Sequence, residues 1–247
     1  MLGLPAGVTV CLFDLDGVLT QTAKVHAAAW KEMFDAFLSE RADAPGEDHA
    51  PFDAVGDYDE YVDGRPRAEG VRAFLDSRGI ALPDGSPDDP PDALTINGLG
   101  ERKNEIVLGM IHEHGVEPYD GSVRYVKAAR DAALVCCVVS SSTNCRDVLK
   151  AAGILDLFDH ITDGHVAETR HLAGKPAPDT YLAGARVAGE QPDHAAVFED
   201  AMVGVEAGRA GNFAIVIGVD RVGQAAALRE HGADIVVADL SELLEAP

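Results

Sequence analysis

Basic residues are scarce: among 247 residues, 20 Lys and Arg stand against 42 Asp and Glu, a formal charge of −22. A surface of that sign repels DNA and RNA, which excludes nucleic acid as a partner class. It also repels small phosphates at long range, but physiological salt screens charge beyond about 8 Å. Any anion site must therefore be built locally, from Lys, Arg, backbone N–H groups or a metal. Cysteine is also sparse, with Cys11 and Cys145 isolated and Cys136 and Cys137 adjacent in an apolar run. Without a C-x-x-C pair neither a zinc site nor a disulfide framework is indicated, and buried free thiols in a reducing compartment are expected. Long apolar runs are missing too. The stretch from Ala132 to Val139 falls far short of the roughly 20 residues a membrane helix needs. Met1-Leu-Gly-Leu-Pro5 has neither the charged start nor the long apolar middle of a secretory signal. We expect a cytoplasmic protein with no membrane partner and, since nothing marks a dimer interface, a monomer. No period of 20 to 50 residues recurs, which argues against a solenoid.

What is present is a series of short apolar, β-rich runs: Val8 to Phe13, Leu134 to Val139, Ala195 to Phe198, Phe213 to Ile217 and Ile235 to Val237. Continuous apolar runs of this length read as parallel strands buried on both faces. Between the later ones lie helical patterns at Cys145 to Ala152, Asp179 to Ala188 and Val203 to Ala210, each closed by a nearby Gly. This alternation predicts an α/β fold with a doubly wound parallel sheet, whose ligands sit beyond the carboxyl ends of the strands.

From about residue 24 to 118 the pattern changes. Helical stretches at Ala28 to Leu38, Gly70 to Leu75 and Arg102 to His112 follow one another without clear strands. We expect an α/β core of residues 1–23 and 119–247 and an inserted α-helical cap of 24–118, with the two crossings forming a hinge. Leu82-Pro-Asp-Gly-Ser-Pro-Asp-Asp-Pro-Pro91 reads as an exposed loop within the insert. Trp30, Met33, Phe34 and Phe37 recur at helical spacing and read as core.

Four strand ends carry chemistry. Phe13-Asp14-Leu15-Asp16-Gly17-Val18-Leu19-Thr20 sets two carboxylates beside a permissive Gly. They could hold Mg²⁺ through oxygen while one faces a phosphorus atom; an Asx turn is the plainer alternative. Ser140-Ser-Ser-Thr-Asn144 precedes a helix, where hydroxyls and fresh N–H groups would face an anion. N-capping accounts for one of those residues but not for five. Gly174-Lys175-Pro176-Ala177-Pro178-Asp179 presents one lysine on a proline-fixed turn, either to a phosphoryl oxygen or simply to solvent. Phe198-Glu199-Asp200 ends another strand in paired acids, suited to completing a Mg²⁺ shell or to plain solvation. Each bland reading holds singly, but their coincidence in one crevice is much harder to accept.

In order and residue type, Asp14, Asp16, Ser140, Lys175, Glu199 and Asp200 resemble the four motifs of the haloacid dehalogenase superfamily. Within it, Asp14 to Thr20, His26, Gly64-Arg-Pro-Arg67, Arg102-Lys103-Asn104, Gly174 to Asp179 and Glu199-Asp200 look like the β-phosphoglucomutase family over essentially the whole chain. The resemblance implies that Asp14 becomes an aspartyl phosphate, that Asp16 is the general acid/base, and that Ser140 and Lys175 hold the phosphoryl oxygens. Mg²⁺ would use Asp14, Asp16 through its carbonyl, and Asp200, with Glu199 beside it. Asn144 and Ser141 would lie near the phosphoryl group, and Thr22 and His26 would support the hinge and the acid/base residue. In the cap, Arg67, after Gly64, would grip a distal phosphate and Lys103 would lie near the sugar. The implied reaction interconverts β-D-glucose 1-phosphate and glucose 6-phosphate through β-glucose 1,6-bisphosphate, with a sugar-phosphate phosphatase as the alternative. Gln21 and Thr143 depart from the family's usual Asp and Lys, and the cap is longer than in compact relatives, mainly over 41–57 and the Pro/Asp loop.

Overall fold

The computed structural model describes residues 2–41 and 47–245; part of the lengthened 41–57 stretch, 42–46, lies outside the described residues. The chain divides into two compact units, Met1–Thr22 with Val116–Pro247, and Ala23–Gly115.

The first unit holds strands β1 (Val10–Phe13), β2 (Val135–Val139), β3 (His160–Thr162), β4 (Ala195–Glu199), β5 (Ile215–Val219) and β6 (Ile235–Val237). All pair in parallel, in the order β3-β2-β1-β4-β5-β6. The second unit contributes α1 (Ala23–Glu40), α2 (Arg67–Ser77) and α3 (Ile96–His114). The first contributes α4 (Asp120–Asp131), α5 (Cys145–Ala151), α6 (Gly164–Arg170), α7 (Asp179–Val187), α8 (Met202–Ala210), α9 (Ala225–Glu230) and α10 (Glu242–Glu245). Among the described residues, no helix is long and apolar enough to cross a membrane.

Strand alternation sorts side chains between the two faces. Val10, Leu12, Cys137, Val139, Ala195 and Val197 face one way, and with Tyr181, Val205 and Leu228 of α7, α8 and α9 they form one buried cluster. Cys11, Phe13, Cys136 and Phe198 have the opposite parity. Phe13 stacks on Phe198 at 4.4 Å and meets Tyr125 of α4 edge-on at 6.2 Å. Helices thus cover both faces, which makes the sheet doubly wound and buries Cys11, Cys136 and Cys137; with Cys145 at the start of α5, all four cysteines are buried free thiols. The strand β3 was not read from the sequence. Its three residues, His160-Ile-Thr162, carry one aliphatic side chain at the sheet edge, too little to leave an apolar run.

In the second unit, Trp30, Met33, Phe34, Phe37 and Leu38 of α1 bury against Phe74 and Leu75 of α2 and Leu99 of α3. Phe34 is the hub, with its ring centroid 5.3 Å from those of Trp30 and Phe52 and 4.1 Å from that of Phe74. Helix α3 starts at the capping residue Thr95, whose Oγ1 accepts the Gly98 N–H at 2.9 Å. It stops at Gly115, where φ is +74°. Residues 82 to 91, before it, form no helix or strand.

Candidate active site

The strand order reverses direction between β1 and β4, the place where open α/β sheets leave a crevice. Register sets what lies there. Phe13 pairs with Phe198, so the next residues, Asp14 and Glu199, leave adjacent strands side by side, and the Asp14 N–H closes on Phe198 O at 2.9 Å. Both share the parity of Leu12 and Val197 and therefore point to the face that α7 covers.

Lys175 enters from that face. Its Nζ donates to Asp14 Oδ1 and to Glu199 Oε1, each at 2.5 Å, and lies 4.9 Å from the centre of the Tyr181 ring. Lysine and glutamate are fully buried, and Asp14 and Asp200 are each 7% exposed. A buried ammonium is tolerable only when its partners replace the lost water, and here two carboxylates and an aromatic face do so. Glu199 accepts three hydrogen bonds: Oε1 also takes Tyr181 Oη–H at 3.2 Å, and Oε2 takes the Ala201 N–H at 2.8 Å. Burial pushes the Asp14 carboxyl well up, with Glu199 and Asp16 adding to the effect and Lys175 opposing it. Burial acts to lower Lys175, but the attraction of Asp14 and Glu199 outweighs it and holds the ammonium well above its usual range.

Asp14, Glu199 and Asp200 each offer a carboxylate oxygen, and those oxygens lie within 4.8 Å of one another. An all-oxygen, acidic donor set beside a strand end fits a small hard dication such as Mg²⁺. Such a charge would also reverse the pressure on Asp14.

Asp16 begins the loop after β1. Thr22 Oγ1 donates to Asp16 Oδ1, and Thr20 Oγ1 stands 2.7 Å behind Thr22 Oγ1. The Thr20 hydroxyl itself donates to Leu15 O at 3.2 Å, so Thr22 is the side chain that orients the Asp16 carboxylate. Ser140 is buried at the end of β2, where its N–H bonds Thr162 O at 3.0 Å and its Oγ accepts the Ser142 N–H at 3.1 Å. Ser141 follows it, and Asn144, whose N–H bonds Ser142 Oγ at 3.1 Å, leads into α5.

The remaining predicted residues belong to the helical unit. His26 and Lys103 meet there, with Lys103 Nζ 2.8 Å from His26 Nδ1 and 4.6 Å from the Trp30 ring centre. Trp30 is thus both core and a cation–π platform for Lys103. Arg67 opens α2 after the left-handed Gly64 and donates from Nη1 to Glu101 Oε2 at 3.0 Å and Gly100 O at 3.3 Å.

Sequence reasoning missed Thr20, Tyr181, Arg221 and Gln224. Thr20 and Tyr181 fall inside or beside the motifs and could have been found by asking which polar side chains the predicted burial leaves in need of partners. Arg221 and Gln224 lie far along the chain and carried no local signal.

Fold and site together define the class: the chain belongs to the haloacid dehalogenase-like hydrolase family, whose model matches residues 8–212. Within that family it is β-phosphoglucomutase-like. It is 56% identical over 247 residues to the protein named β-phosphoglucomutase of Mycobacterium bovis, an alignment covering 99% of this chain and 94% of that one. It is 30% identical to the β-phosphoglucomutase of Bacillus subtilis, over 94% of this chain and 90% of that protein. The crystal structure of a β-phosphoglucomutase from Clostridium difficile superposes with a TM-score of 0.74 at 25% identity, covering 96% of this chain and 93% of that one.

Proposed function

We propose that this protein is a magnesium-dependent phosphomutase that interconverts β-D-glucose 1-phosphate and glucose 6-phosphate through phospho-Asp14 and β-glucose 1,6-bisphosphate. The observation that carries the reading is Lys175 buried between Asp14 and Glu199 at a parallel-sheet switch point, in a chain 56% identical over nearly its full length to a β-phosphoglucomutase.

Phosphate-monoester cleavage is among the slowest uncatalysed reactions, and enzymes accelerate it by up to roughly 10²¹-fold. Positioning and charge neutralisation supply most of such a factor. In the first half-reaction the sugar C6 hydroxyl attacks the phosphorus of phospho-Asp14. Asp16 takes the hydroxyl proton, the bond from phosphorus to Asp14 breaks, and the bisphosphate forms. In the second, Asp14 attacks the phosphorus at C1, the bond from phosphorus to the anomeric oxygen breaks, and Asp16 returns its proton to that oxygen. Lys175 and Ser140 hold the moving phosphoryl oxygens, and Asn144 and Ser141 line their approach. Thr22 keeps Asp16 turned toward the sugar.

Asp14, Asp200 and the Asp16 carbonyl would hold Mg²⁺. When bound, the ion supplies positive charge to the phosphoryl oxygens. Since three protein donors already occupy Glu199, we assign it to holding Lys175 beside the ion rather than to direct ligation. A bisphosphate turned end for end needs two grips, and Arg67 is the candidate for the second, with Gly64 giving its turn and Lys103, steadied by His26, serving the sugar. The reading also makes the protein a cytoplasmic monomer whose partner is a small phosphorylated sugar.

The test is phosphorus NMR of the protein with Mg²⁺, β-glucose 1-phosphate and a trace of the bisphosphate. Growth of glucose 6-phosphate, lost in Asp14→Asn, is expected. Growth of inorganic phosphate alone would replace this reading with that of a sugar-phosphate phosphatase.

A further inference from the structure

Asp14 and Asp16 are held by different means. Asp14 sits at the end of a central strand, with its N–H in the sheet ladder. Asp16 begins a loop whose next three carbonyls each accept a hydrogen bond from outside the loop. Leu19 O takes the Tyr119 N–H at 2.9 Å, Val18 O takes Ser122 Oγ–H at 2.6 Å, and Gly17 O, adjacent to Asp16, takes Arg221 Nε–H at 2.8 Å.

Arg221 is 204 residues away in sequence and is itself well anchored. Its guanidinium lies 3.6 Å from the centre of the Tyr119 ring, donates to Ala238 O at 2.9 Å and pairs with Asp239 at 3.2 Å. The turn that carries it is tied down by the Asp220 carboxylate, which accepts the N–H groups of Gly223 at 2.7 Å and Gln224 at 2.8 Å. From the same turn Gln224 Nε2 donates to Asp200 O at 2.9 Å. One turn beyond β5 thus holds the backbone of both acid-bearing loops while contributing no acid of its own to the cluster.

We infer that Arg221, seconded by Gln224, is a positioning residue that sets the Asp16 loop for proton transfer to and from the sugar. A planar guanidinium stacked on a ring and fixed at two further points is a rigid donor, which a flexible ammonium does not reproduce. Losing it frees the carbonyl next to Asp16 and leaves Asp14 in its ladder. The sugar steps, which need Asp16, then slow, while phosphorylation of Asp14 by acetyl phosphate, whose leaving group needs no proton, does not.

The inference rests on the phosphomutase reading, and the test separates the two. Wild type, Arg221→Met, Arg221→Lys and the surface control Arg229→Met are compared with Mg²⁺ present. In Arg221→Met, kcat for β-glucose 1-phosphate should fall about 10- to 100-fold, the loss expected for a displaced catalytic group, with KM little changed. Phosphorylation of Asp14 by acetyl phosphate should keep its wild-type rate, Arg221→Lys should recover part of kcat, and Arg229→Met should match wild type. Hydrogen exchange should quicken in peptides covering 14–20 and stay unchanged in those covering 135–139. Unchanged exchange at 14–20 overturns the inference. So does wild-type kcat in Arg221→Met, or an equal loss in Asp14 phosphorylation and sugar turnover. If wild type itself does not convert the sugar, the functional reading fails, and the exchange result still decides whether Arg221 holds the loop.

Discussion

Gly17 and Asp200 are packed so closely that a methyl group on Gly17 would lie 1.6 Å from Asp200 Oδ2. Gly17 also has φ of +83°, so a side chain there adds left-handed strain of about 1–2 kcal/mol to the collision. Gly17→Ala must push Asp200 out of the acidic cluster. We expect a folded protein by circular dichroism with turnover reduced by about 100-fold or more, the scale seen when reacting groups move by an ångström. Wild-type turnover would contradict the packing described.

Lys175 balances two buried carboxylates, so its removal strands them. Lys175→Met should lose activity and, by urea denaturation, about 3–5 kcal/mol of stability, the scale of breaking a buried ion pair from one side. The double variant Lys175→Met with Glu199→Gln should recover part of that stability, because one stranded charge is gone, while activity stays lost.

Because the Lys103 ammonium can only donate, the contact at 2.8 Å makes His26 Nδ1 the acceptor and places the neutral ring's proton on Nε2. Nitrogen NMR of labelled protein at neutral pH should show that tautomer for His26. In Lys103→Met the Nδ1–H form should become populated.

Asp220 gives a pH dependence of known sign. Burial acts to raise its pKa, but the N–H groups of Gln224, Gly223, Val222 and Ala225 outweigh it and hold the carboxyl below the usual range. A carboxylate depressed in the folded state stabilises fully above its unfolded pKa of about 3.9, and loses that contribution as pH falls through the folded value. The Tm of wild type should therefore exceed that of Asp220→Asn by a constant margin at pH 5 to 7, narrowing below about pH 4. A margin that widens on acidification would contradict the sign.

The acidic cluster should make Mg²⁺ affinity depend on Asp200 more than on Tyr181. By titration calorimetry, Asp200→Asn should weaken Mg²⁺ binding by about 10-fold or more, as loss of one charged ligand would. Tyr181→Phe removes only the hydroxyl that supports Glu199 and should change it little.

Much of the architecture was legible locally. Strands β1, β2, β4 and β5 lie inside the sheet and are buried on both faces, so each leaves an apolar run in the sequence, broken only where β4 ends in Glu199; β6, at the far edge, is partly exposed but its Ile-Val-Val still reads as a run. Edge strand β3 escapes because three residues with one aliphatic side chain carry no period. In the helical unit, Phe34 and its neighbours repeat at helical spacing and lie in the core as that spacing predicts.

What the sequence alone determined, then, was a parallel α/β sheet with acids and hydroxyls at its strand ends and a lysine on a proline-fixed turn, because burial and backbone periodicity act over a few residues. The structure places that lysine between α6 and α7 rather than after a strand. Only the tertiary structure decided which of those groups meet. The register of Phe13 against Phe198 sets Asp14 beside Glu199, and the packing of α7 brings Lys175 and Tyr181 to them. The Asp16 loop takes Arg221 from 204 positions away. Such pairings depend on strand order and crossover paths, which a distant residue's own sequence neighbourhood does not record.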